Sequence, residues 1–530
     1  MKRIKLIIAA VCALGGASAL NAQTLYDANR LMGSDLNGTA RFVGMGGAMG
    51  ALGGDISTMG TNPAGIGIYR SNDAMMSFGF NNTNAKSVSS QSTKEINKIH
   101  GSFDNAGFVI TNKISNNGGL RFVNFGFNYH KLKSFDKDMT MNDSYKMSQT
   151  NLFASTVNDN SKFLAPDILI GKNAYFQSDV PWLGALAYEA NLIIPNSSNE
   201  YDPYFESSRH TVNGQYHSKE RGGLNAYDFN VAFNLYDRFY LGATLTAYSI
   251  DYTRNTSYSE TFMANNEDDG NYTLRNNYKL DGSGVDFKLG FIARPFDESP
   301  LRIGMAIHTP IFYSLEENGM AYLDYDTYSK EQDKFISGTA YTQNEYGDEM
   351  EGRTKYELTT PWKYNLSLGY TIGKSVALGA EYEYSDYSTA KLKYDDGVKM
   401  ASETNGIKAG LKGVHTMRLG AEFKFIPEFA FRLGYNYITS SMYSDTFKPL
   451  ALNSIRTDTE FSNIKAINNY TIGVGYRGQV FYTDLAYQYN TYKEDFYPFY
   501  NNSTDGIVAP NATKVTNTKS QVLLTLGMRF

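Results

Sequence analysis

Residues 416–425 read TMRLGAEFKF, and apolar and polar side chains alternate along this stretch with a period of two. The apolar set is Met417, Leu419, Ala421, Phe423 and Phe425. Because successive side chains of an extended strand point to opposite faces of a sheet, the pattern predicts a strand with one apolar and one polar face. The same alternation recurs at 302–309, 376–384 and 429–437, so strands dominate the predicted structure.

Two architectures fit such alternation. A soluble sandwich buries the apolar face and exposes the polar face to water, whereas a membrane barrel turns the apolar face to lipid and the polar face to its lumen. Aromatic residues make up 14% of the chain. Some of them, such as Trp362, Tyr364 and Tyr370, fall near the ends of predicted strands, as the interfacial girdles of membrane barrels do.

The lengths of the connections between predicted strands decide between the two. About fourteen strands are expected, near 73–82, 104–113, 119–132, 223–235, 238–254, 283–295, 300–311, 358–371, 374–388, 415–425, 428–440, 466–477, 479–491 and 517–530. Short connections follow the even strands and long polar ones follow the odd strands, the longest running from about 133 to 222. Strict alternation is typical of an even-stranded barrel with tight turns at one end and long loops at the other. The sequence therefore predicts an all-β fold, with a 14-stranded antiparallel transmembrane barrel over 71–530.

Both ends of the chain agree with an exported barrel. Residues 1–22 are predicted to be a signal peptide, because Lys2, Arg3 and Lys5 precede a short apolar region and Ala22 provides a small residue at the cleavage site. The chain ends QVLLTLGMRF, and Phe530 falls on the apolar face of this last strand. Such a terminal Phe resembles the sorting signature of bacterial outer-membrane barrels, so the predicted location is the bacterial outer membrane.

Residues 23–70 precede the first strand and do not alternate. They contain Asn62, Pro63, Ala64 and Gly65 after a glycine-rich stretch with Gly44, Gly46, Gly47, Gly50, Gly53 and Gly54. Pro63 fixes its own φ angle and biases Asn62 toward an extended conformation. Since a fourteen-stranded barrel is wider than side chains alone can fill, this segment is predicted to occupy the lumen as a plug.

The signal peptide, the glycine-rich segment with its Asn-Pro-Ala turn, the fourteen strands and the terminal Phe together resemble the FadL/TodX family of outer-membrane transporters for hydrophobic compounds. Asn62, Pro63 and Ala64 match the NPA motif in the N-terminal hatch of that family. The resemblance implies a monomer that takes up hydrophobic small molecules, such as long-chain fatty acids, without energy coupling. It implies capture by external loops, a rearrangement of the hatch, and lateral exit between strands into the outer-membrane lipid.

A second function stays open at this point. Some FadL-like barrels of the Bacteroidetes serve protein secretion or cell-surface assembly, and the long 133–222 connection suits that role as well. Under this alternative the partner is a surface or secretion protein rather than a small molecule.

The 133–222 connection is rich in apolar side chains, and seven of them are candidate groove residues: Phe163, Leu164, Ile168, Phe176, Trp182, Leu183 and Leu186. One interpretation is a small satellite core that folds the connection over the barrel mouth. The other is a hydrophobic groove that captures a ligand from outside. The two are compatible, since a groove can be built on such a core.

The polar faces of the strands carry both charges, and the candidate lumen charges are Arg302, Arg418, Arg432, Glu381 and Glu383. They are expected to form an ion-pair network that seats the hatch. The functional alternative is an arginine that binds the carboxylate head group of a ligand.

Motifs for other chemistry are not evident in the sequence. The formal net charge of −5 argues against a nucleic-acid partner, which needs a basic face. The one cysteine, Cys12, lies inside the predicted signal peptide, and the six histidines are scattered. No catalytic residues, no metal site and no cofactor are therefore predicted, and the protein is not expected to be an enzyme.

Overall fold

The computed structural model describes residues 24–159, 163–170, 174–177, 179–205, 210–264, 267–329, 332–448, 450, 454–503 and 506–530. The predicted signal peptide, residues 1–22, lies outside the described residues. No helix in the described part of the chain is long and apolar enough to span a membrane.

The described residues form 23 strands and six α-helices. The strands are β1 Asp73–Val88, β2 Thr93–Lys113, β3 Leu120–Ser134, β4 Lys137–Tyr145, β5 Ile193–Pro195, β6 Tyr201–Pro203, β7 His210–Leu235, β8 Phe239–Ala264, β9 Glu267–Ala293, β10 Arg302–His308, β11 Phe312–Ser329, β12 Lys334–Tyr341, β13 Gly352–Thr359, β14 Lys363–Ile372, β15 Val376–Asp386, β16 Lys391–Tyr394, β17 Gly413–Ile426, β18 Phe429–Ile438, β19 Phe461–Arg477, β20 Phe481–Tyr497, β21 Asn501–Ser503, β22 Gly506–Val508 and β23 Thr513–Arg529. The helices are α1 Leu25–Met32, α2 Ala40–Gly44, α3 Thr150–Asn158, α4 Pro166–Leu169, α5 Trp182–Glu189 and α6 Ala401–Gly410.

Fourteen of the strands close into one antiparallel barrel. Its wall runs in the order β1, β2, β3, β7, β8, β9, β10, β14, β15, β17, β18, β19, β20 and β23. The last strand pairs with the first from Asp73↔Arg529 to Val88↔Lys514, so the wall has no free outer edge. The predicted 14-stranded antiparallel barrel is confirmed.

The barrel turns its apolar side chains outward and its polar side chains inward. On β17, Met417 is 50% exposed while its neighbour Arg418 is only 8% exposed. The same holds on β1, where Met76, Phe78 and Phe80 face outward. This inversion of the usual soluble pattern is what a lipid-facing wall with a polar lumen requires.

Several strands run farther than the alternation predicts. β7 and β8 have 26 residues each and β9 has 27, so they extend well beyond the band of exposed apolar side chains at the long-loop end of the barrel. The extensions are rich in Tyr, Thr, Asn and Ser, which alternate between buried and exposed positions without alternating in hydropathy. The 133–222 connection therefore includes β4 and the first part of β7.

The remainder of that connection folds into a compact layer over the long-loop end, which we term the cap (the described residues within 146–205). Its helices α3 and α5 share a hydrophobic core with the inward faces of the long strands. The core includes Phe153 and Trp182 of the cap with Phe262, Tyr272 and Leu323 of the strands. The cap is thus packed across the mouth of the barrel.

Candidate functional site

The lumen is filled by residues 24–70, which we term the N-terminal segment. Most of its residues from position 40 to 67 are buried. A 3₁₀ turn at Pro63–Ile68 packs against β7, β8 and β9, and α2 packs against β18, β19 and β20 on the other side of the lumen. The segment therefore reaches from wall to wall.

The Asn-Pro-Ala turn ties this segment to itself and to the wall. Asn62 is buried, and its Oδ1 accepts a hydrogen bond from the N–H of Ala64 at 3.2 Å. Its Nδ2 donates to the carbonyl oxygen of Gly50 at 2.9 Å and to that of Phe291 on β9 at 3.2 Å. Pro63 stands at the first position of the 3₁₀ turn, where its fixed φ suits the helical start. The motif acts here through shape and hydrogen bonding.

A row of wall glycines makes room for the segment. Gly369, Gly379, Gly420 and Gly434 lie level with one another across β14, β15, β17 and β18. A Cβ at position 379 would lie 2.0 Å from the carbonyl oxygen of Ala48, and one at 420 would lie 2.3 Å from that of Met45. The row therefore allows the backbone of the segment to touch the backbone of the wall.

The sequence contains a signal for this row, although the alternation of apolar and polar residues does not reveal it. Each of the four glycines stands between two apolar residues, as LGY, LGA, LGA and LGY, at an inward position of its strand. Repeated glycine on the polar face of consecutive strands indicates a close backbone approach from inside.

On the segment side, Gly46 meets the same wall. Its φ is +61°, a left-handed conformation that favours glycine, and a Cβ there would lie 2.7 Å from the backbone nitrogen of Tyr435. The neighbouring Gly50 donates its N–H to Oε2 of Glu381 at 3.0 Å. Two of the predicted hatch glycines are thus in direct contact with the lumen wall.

The candidate lumen charges fall into separate clusters. Arg418 binds Glu381 at 2.6 Å and Glu383 at 3.0 Å, and through Glu381 this cluster reaches Gly50 of the segment. Arg302 stands apart and donates from Nη1 to the carbonyl oxygen of Leu52 at 2.8 Å.

Arg432 belongs to a second cluster and is fully buried. It binds Glu422 at 2.7 Å and Asp484 at 2.7 Å, and Glu422 also binds Arg41 of α2 at 3.1 Å. Each of these wall clusters contacts the N-terminal segment, an arrangement that favours seating the segment over binding a ligand head group. Arg432 in particular is enclosed by wall and segment.

The wall contains a lateral gap between β2 and β3. These strands pair from Lys113↔Phe122 up to Asn105↔His130, and within the described range 24–159 the ladder ends there. Above this point β3 stays paired with β7 up to Ser134 and β4 continues along β7, while residues 93–104 of β2 stay paired only with β1. Hydrogen bonds from Ser89 and Ser92 to the carbonyl oxygen of Asn142 bring the two sides together again. We term the space between 93–104 and 131–142 the β2–β3 gap.

The N-terminal segment occupies the inner side of this gap. The N–H of Asp35 donates to the carbonyl oxygen of Leu132 at 2.9 Å, and the N–H of Ser134 donates to Oδ2 of Asp35 at 3.2 Å. Asn37 bridges the two edges, because its Nδ2 donates to Oδ1 of Asp104 on β2 at 2.9 Å and to the carbonyl oxygen of Lys131 on β3 at 3.0 Å. Backbone N–H and carbonyl groups at this edge, which a neighbouring strand would normally hydrogen-bond, are hydrogen-bonded here by the N-terminal segment.

Comparison with solved structures finds the same architecture. A FadL homologue of Pseudomonas aeruginosa aligns over 94% of this chain and 99% of its own, with 14% sequence identity and a TM-score of 0.53. The chain has the fold of a FadL-type barrel. The toluene transporters TodX of Pseudomonas putida (10% identity, TM-score 0.47) and TbuX of Ralstonia pickettii (12%, 0.45) each align over 94% of this chain and 99% of their own. No protein-family model and no curated protein matches the sequence.

The mouth of this FadL-type barrel has an apolar lining, which α1 occupies. Leu25, Ala28, Leu31 and Met32 form one face of the helix and pack in a cluster with tyrosine and leucine side chains of the strands. Above the helix, the buried residues 454–460 cross the mouth, and Arg456 binds Asp27 of α1 at 3.4 Å. The mouth is therefore closed twice, by α1 and by this connection.

Two lumenal cavities adjoin the gap. The first, of about 250 Å³, is lined by α1, by Lys98 of β2 and by Asp136 at the bend after β3. The second, of about 180 Å³, is lined by residues 33–37 of the segment and by 130–133 of β3. Both are rich in charged side chains, so the space next to the gap is polar.

The candidate groove residues divide into two sets. Leu164, Trp182, Leu183 and Leu186 are buried in the core of the cap, and Ile168 packs partly buried against it. Phe163 and Phe176 are 42% and 57% exposed. Five of the seven thus contribute to the satellite core, and the two phenylalanines provide exposed apolar surface on the cap.

The described residues contain no group of three or more His, Cys, Asp or Glu side chains placed to hold a metal ion.

Proposed function

We propose that this protein is an outer-membrane channel for the passive uptake of hydrophobic small molecules, long-chain fatty acids among them. The N-terminal segment serves as its hatch. The FadL-type fold supports this assignment, as does the match of Asn62, Pro63 and Ala64 to the NPA motif.

The observation that carries the proposal is the seating of residues 33–37 in the β2–β3 gap. A few hydrogen bonds from Asp35 and Asn37 close a wall opening that strand pairing leaves unclosed. A neutral hydrogen bond contributes only about 1 kcal/mol and one to a carboxylate about 1.5–3 kcal/mol, so these few contacts are weaker than a full strand ladder. A modest shift of the segment would open the route from the lumen to the membrane.

The other steps of uptake follow from the positions of the cap, α1 and the β2–β3 gap. Exposed Phe163 and Phe176 on the cap provide the first apolar contact for a ligand. The apolar lining around α1 is the next site along the route, so the helix has to shift before a ligand can occupy it. Lateral exit through the gap then delivers the ligand into lipid without a continuous aqueous pore. Binding at each step must be loose enough for release.

A disulfide that locks the segment in the gap tests the proposal. Asp35→Cys with Ser134→Cys joins the segment to β3 in a chain whose described residues hold no other cysteine. We expect proteoliposomes with the oxidised variant to take up labelled long-chain fatty acid at the rate of empty vesicles, and reduction to restore uptake.

The matched control is Ser249→Cys with Ser283→Cys, a registered pair of outward-facing residues within the β8–β9 wall. Its oxidation should leave uptake unchanged. Equal uptake by the oxidised and reduced forms of the Asp35–Ser134 pair would contradict the hatch mechanism. Failure of the unmodified protein to exceed empty vesicles would instead remove fatty acids as the substrate class.

A further inference from the structure

The rim of the β2–β3 gap carries cations without carboxylate partners. Lys98 of β2 and Lys519 of β23 line the first lumenal cavity, and Lys131 of β3 lines the second. Within the described part of the chain, no carboxylate oxygen lies within salt-bridge distance of Lys98 or Lys131. Lys519 shares Asp35 at 3.7 Å.

The acidic groups near the rim are engaged with other partners. Asp136 lies 3.4 Å from His100, and Asp104 accepts hydrogen bonds from Asn37 and Ser102. Asp138 of β4 forms a two-pronged ion pair with Arg221. The two unpaired ammonium groups thus remain available to an anion.

The outer side of the same rim is aromatic. Phe78, Phe103, Tyr129 and Tyr227 form a row across β1, β2, β3 and β7, with ring centroids 5.5, 5.5 and 5.4 Å apart. Phe103 stands immediately before Asp104, so the row lies at the lower end of the gap, where the β2–β3 ladder begins. It belongs to the band of outward apolar side chains that faces lipid.

The combination selects one kind of ligand. A small soluble anion would use the ammonium groups and not the rings, and a hydrocarbon would use the rings and not the ammonium groups. An amphiphile with an anionic head uses both, because the gap connects the polar cavities to the lipid-facing surface. We propose that the β2–β3 gap binds an anionic phospholipid of the surrounding membrane. Its phosphate lies near Lys98 and Lys131, and an acyl chain lies along the aromatic row.

This site goes beyond the proposed uptake function, because it concerns a bound membrane lipid and requires no transport. The acyl chain of such a lipid would stay on the outer side of the gap, and its phosphate would reach between the edges to the lumenal ammonium groups beside Asp35 and Asn37. The lipid and the N-terminal segment would share the task of sealing a wall that strand pairing leaves open.

Native mass spectrometry of the purified protein, titrated with phosphatidylglycerol or phosphatidylcholine, tests the site. We expect phosphatidylglycerol to bind at least five-fold more tightly. Lys98→Gln with Lys131→Gln should remove this preference while leaving phosphatidylcholine binding unchanged. Phe103→Ala should weaken binding of both lipids, and millimolar inorganic phosphate should not compete.

Lys279→Gln with Lys355→Gln is the matched control, since both lysines are exposed and lie above the lipid-facing band. It should keep the full preference for phosphatidylglycerol. Heat-modifiable migration in gels confirms that each variant is a folded barrel. Equal affinity for the two lipids in the unmodified protein, or the same preference in both double variants, would overturn the proposal. Loss of fatty-acid uptake with retained lipid preference would affect only the proposed function.

Discussion

At the scale of single residues, the backbone of the N-terminal segment can touch the backbone of the wall because the wall residues at this level have no side chains. The row Gly369, Gly379, Gly420 and Gly434 removes four Cβ atoms from the lumen at one level. Overpacking at such a contact costs about 1–3 kcal/mol, because neither backbone can move aside freely.

Gly379→Ala should therefore loosen the N-terminal segment. Its Cβ would lie 2.0 Å from the carbonyl oxygen of Ala48, so the segment has to retreat from β15. We expect faster proteolysis of residues 24–70 and more frequent ion-conducting openings in planar bilayers.

The control for this change is Gly319→Ala on β11, where the nearest atom to a new Cβ is 3.8 Å away. That substitution should leave both readouts within error. If the two alanine variants behave alike, close packing at the glycine row is not what holds the segment.

The sequence predicted the Asn-Pro-Ala turn but not the glycine row, and the reason is physical. The turn is local, since Pro63 and the Asn62 side chain determine its geometry within three residues. The row exists only when four strands, separated by long connections, align in register. The same limit applies to Arg302, Arg418 and Arg432, which sequence places on the lumen side but cannot assign to particular partners.

At the scale of elements, the strands were predictable and their lengths were not. Hydropathy alternates where a strand faces lipid, so the membrane part of β8 was evident. Its outer part, which continues to Ala264, carries polar and aromatic residues on both faces. Nothing in the hydropathy distinguishes such an extension from a loop. The β2–β3 gap was likewise invisible, because an unpaired edge has the same sequence pattern as a paired one.

The outer part of β8 has a specific task, which is to hold the start of α3 in the cap. Glu260 is buried there and accepts hydrogen bonds from the Ser148 hydroxyl, from the N–H of Gln149 at 2.9 Å and from the Tyr258 hydroxyl at 2.9 Å. Burial raises the pKa of Glu260 to about 7, although these hydrogen bonds oppose the shift. The contact is therefore sensitive to pH.

The sign of this dependence follows from proton linkage. The pKa of Glu260 is raised in the folded state. The stability that Glu260 contributes to the folded protein is therefore fully present below about pH 4.5 and is lost as the pH rises through about 7. The full loss amounts to about 3 kcal/mol. We expect the hydrogen-exchange protection of residues 150–158, corrected for the intrinsic exchange rate at each pH, to be lower at pH 8.5 than at pH 5.5.

Glu260→Gln stays neutral and should abolish that difference while keeping α3 in place. Glu349→Gln, at an exposed carboxylate that accepts from Tyr322, should retain it. A pH effect of the same size in the Glu260→Gln variant would show that another group controls the cap.

At the scale of the whole molecule, one barrel is closed from three directions. The N-terminal segment fills the lumen, the cap and the connection at 454–460 cover the mouth, and residues 33–37 fill the lateral gap. Two of these three closures belong to the same 47-residue segment, so a single movement can open the lumen and the wall together. The connection at 454–460 is linked to that segment by the ion pair between Arg456 and Asp27.

Deleting residues 24–70, with the chain before position 24 retained for export, should convert the protein into an open pore. Fourteen strands form an aperture too wide for their own side chains to fill, so loss of the segment leaves a water-filled lumen. The deletion also removes Asp27, which holds Arg456 at the mouth. We therefore expect single-channel conductance in planar bilayers to rise clearly above that of the intact protein. Replacing the exposed turn 344–348, which joins the paired residues Gln343 and Glu349, by a short glycine linker removes external structure without touching the lumen and should leave conductance unchanged. Unchanged conductance after the 24–70 deletion would mean that the cap and the 454–460 connection seal the barrel by themselves.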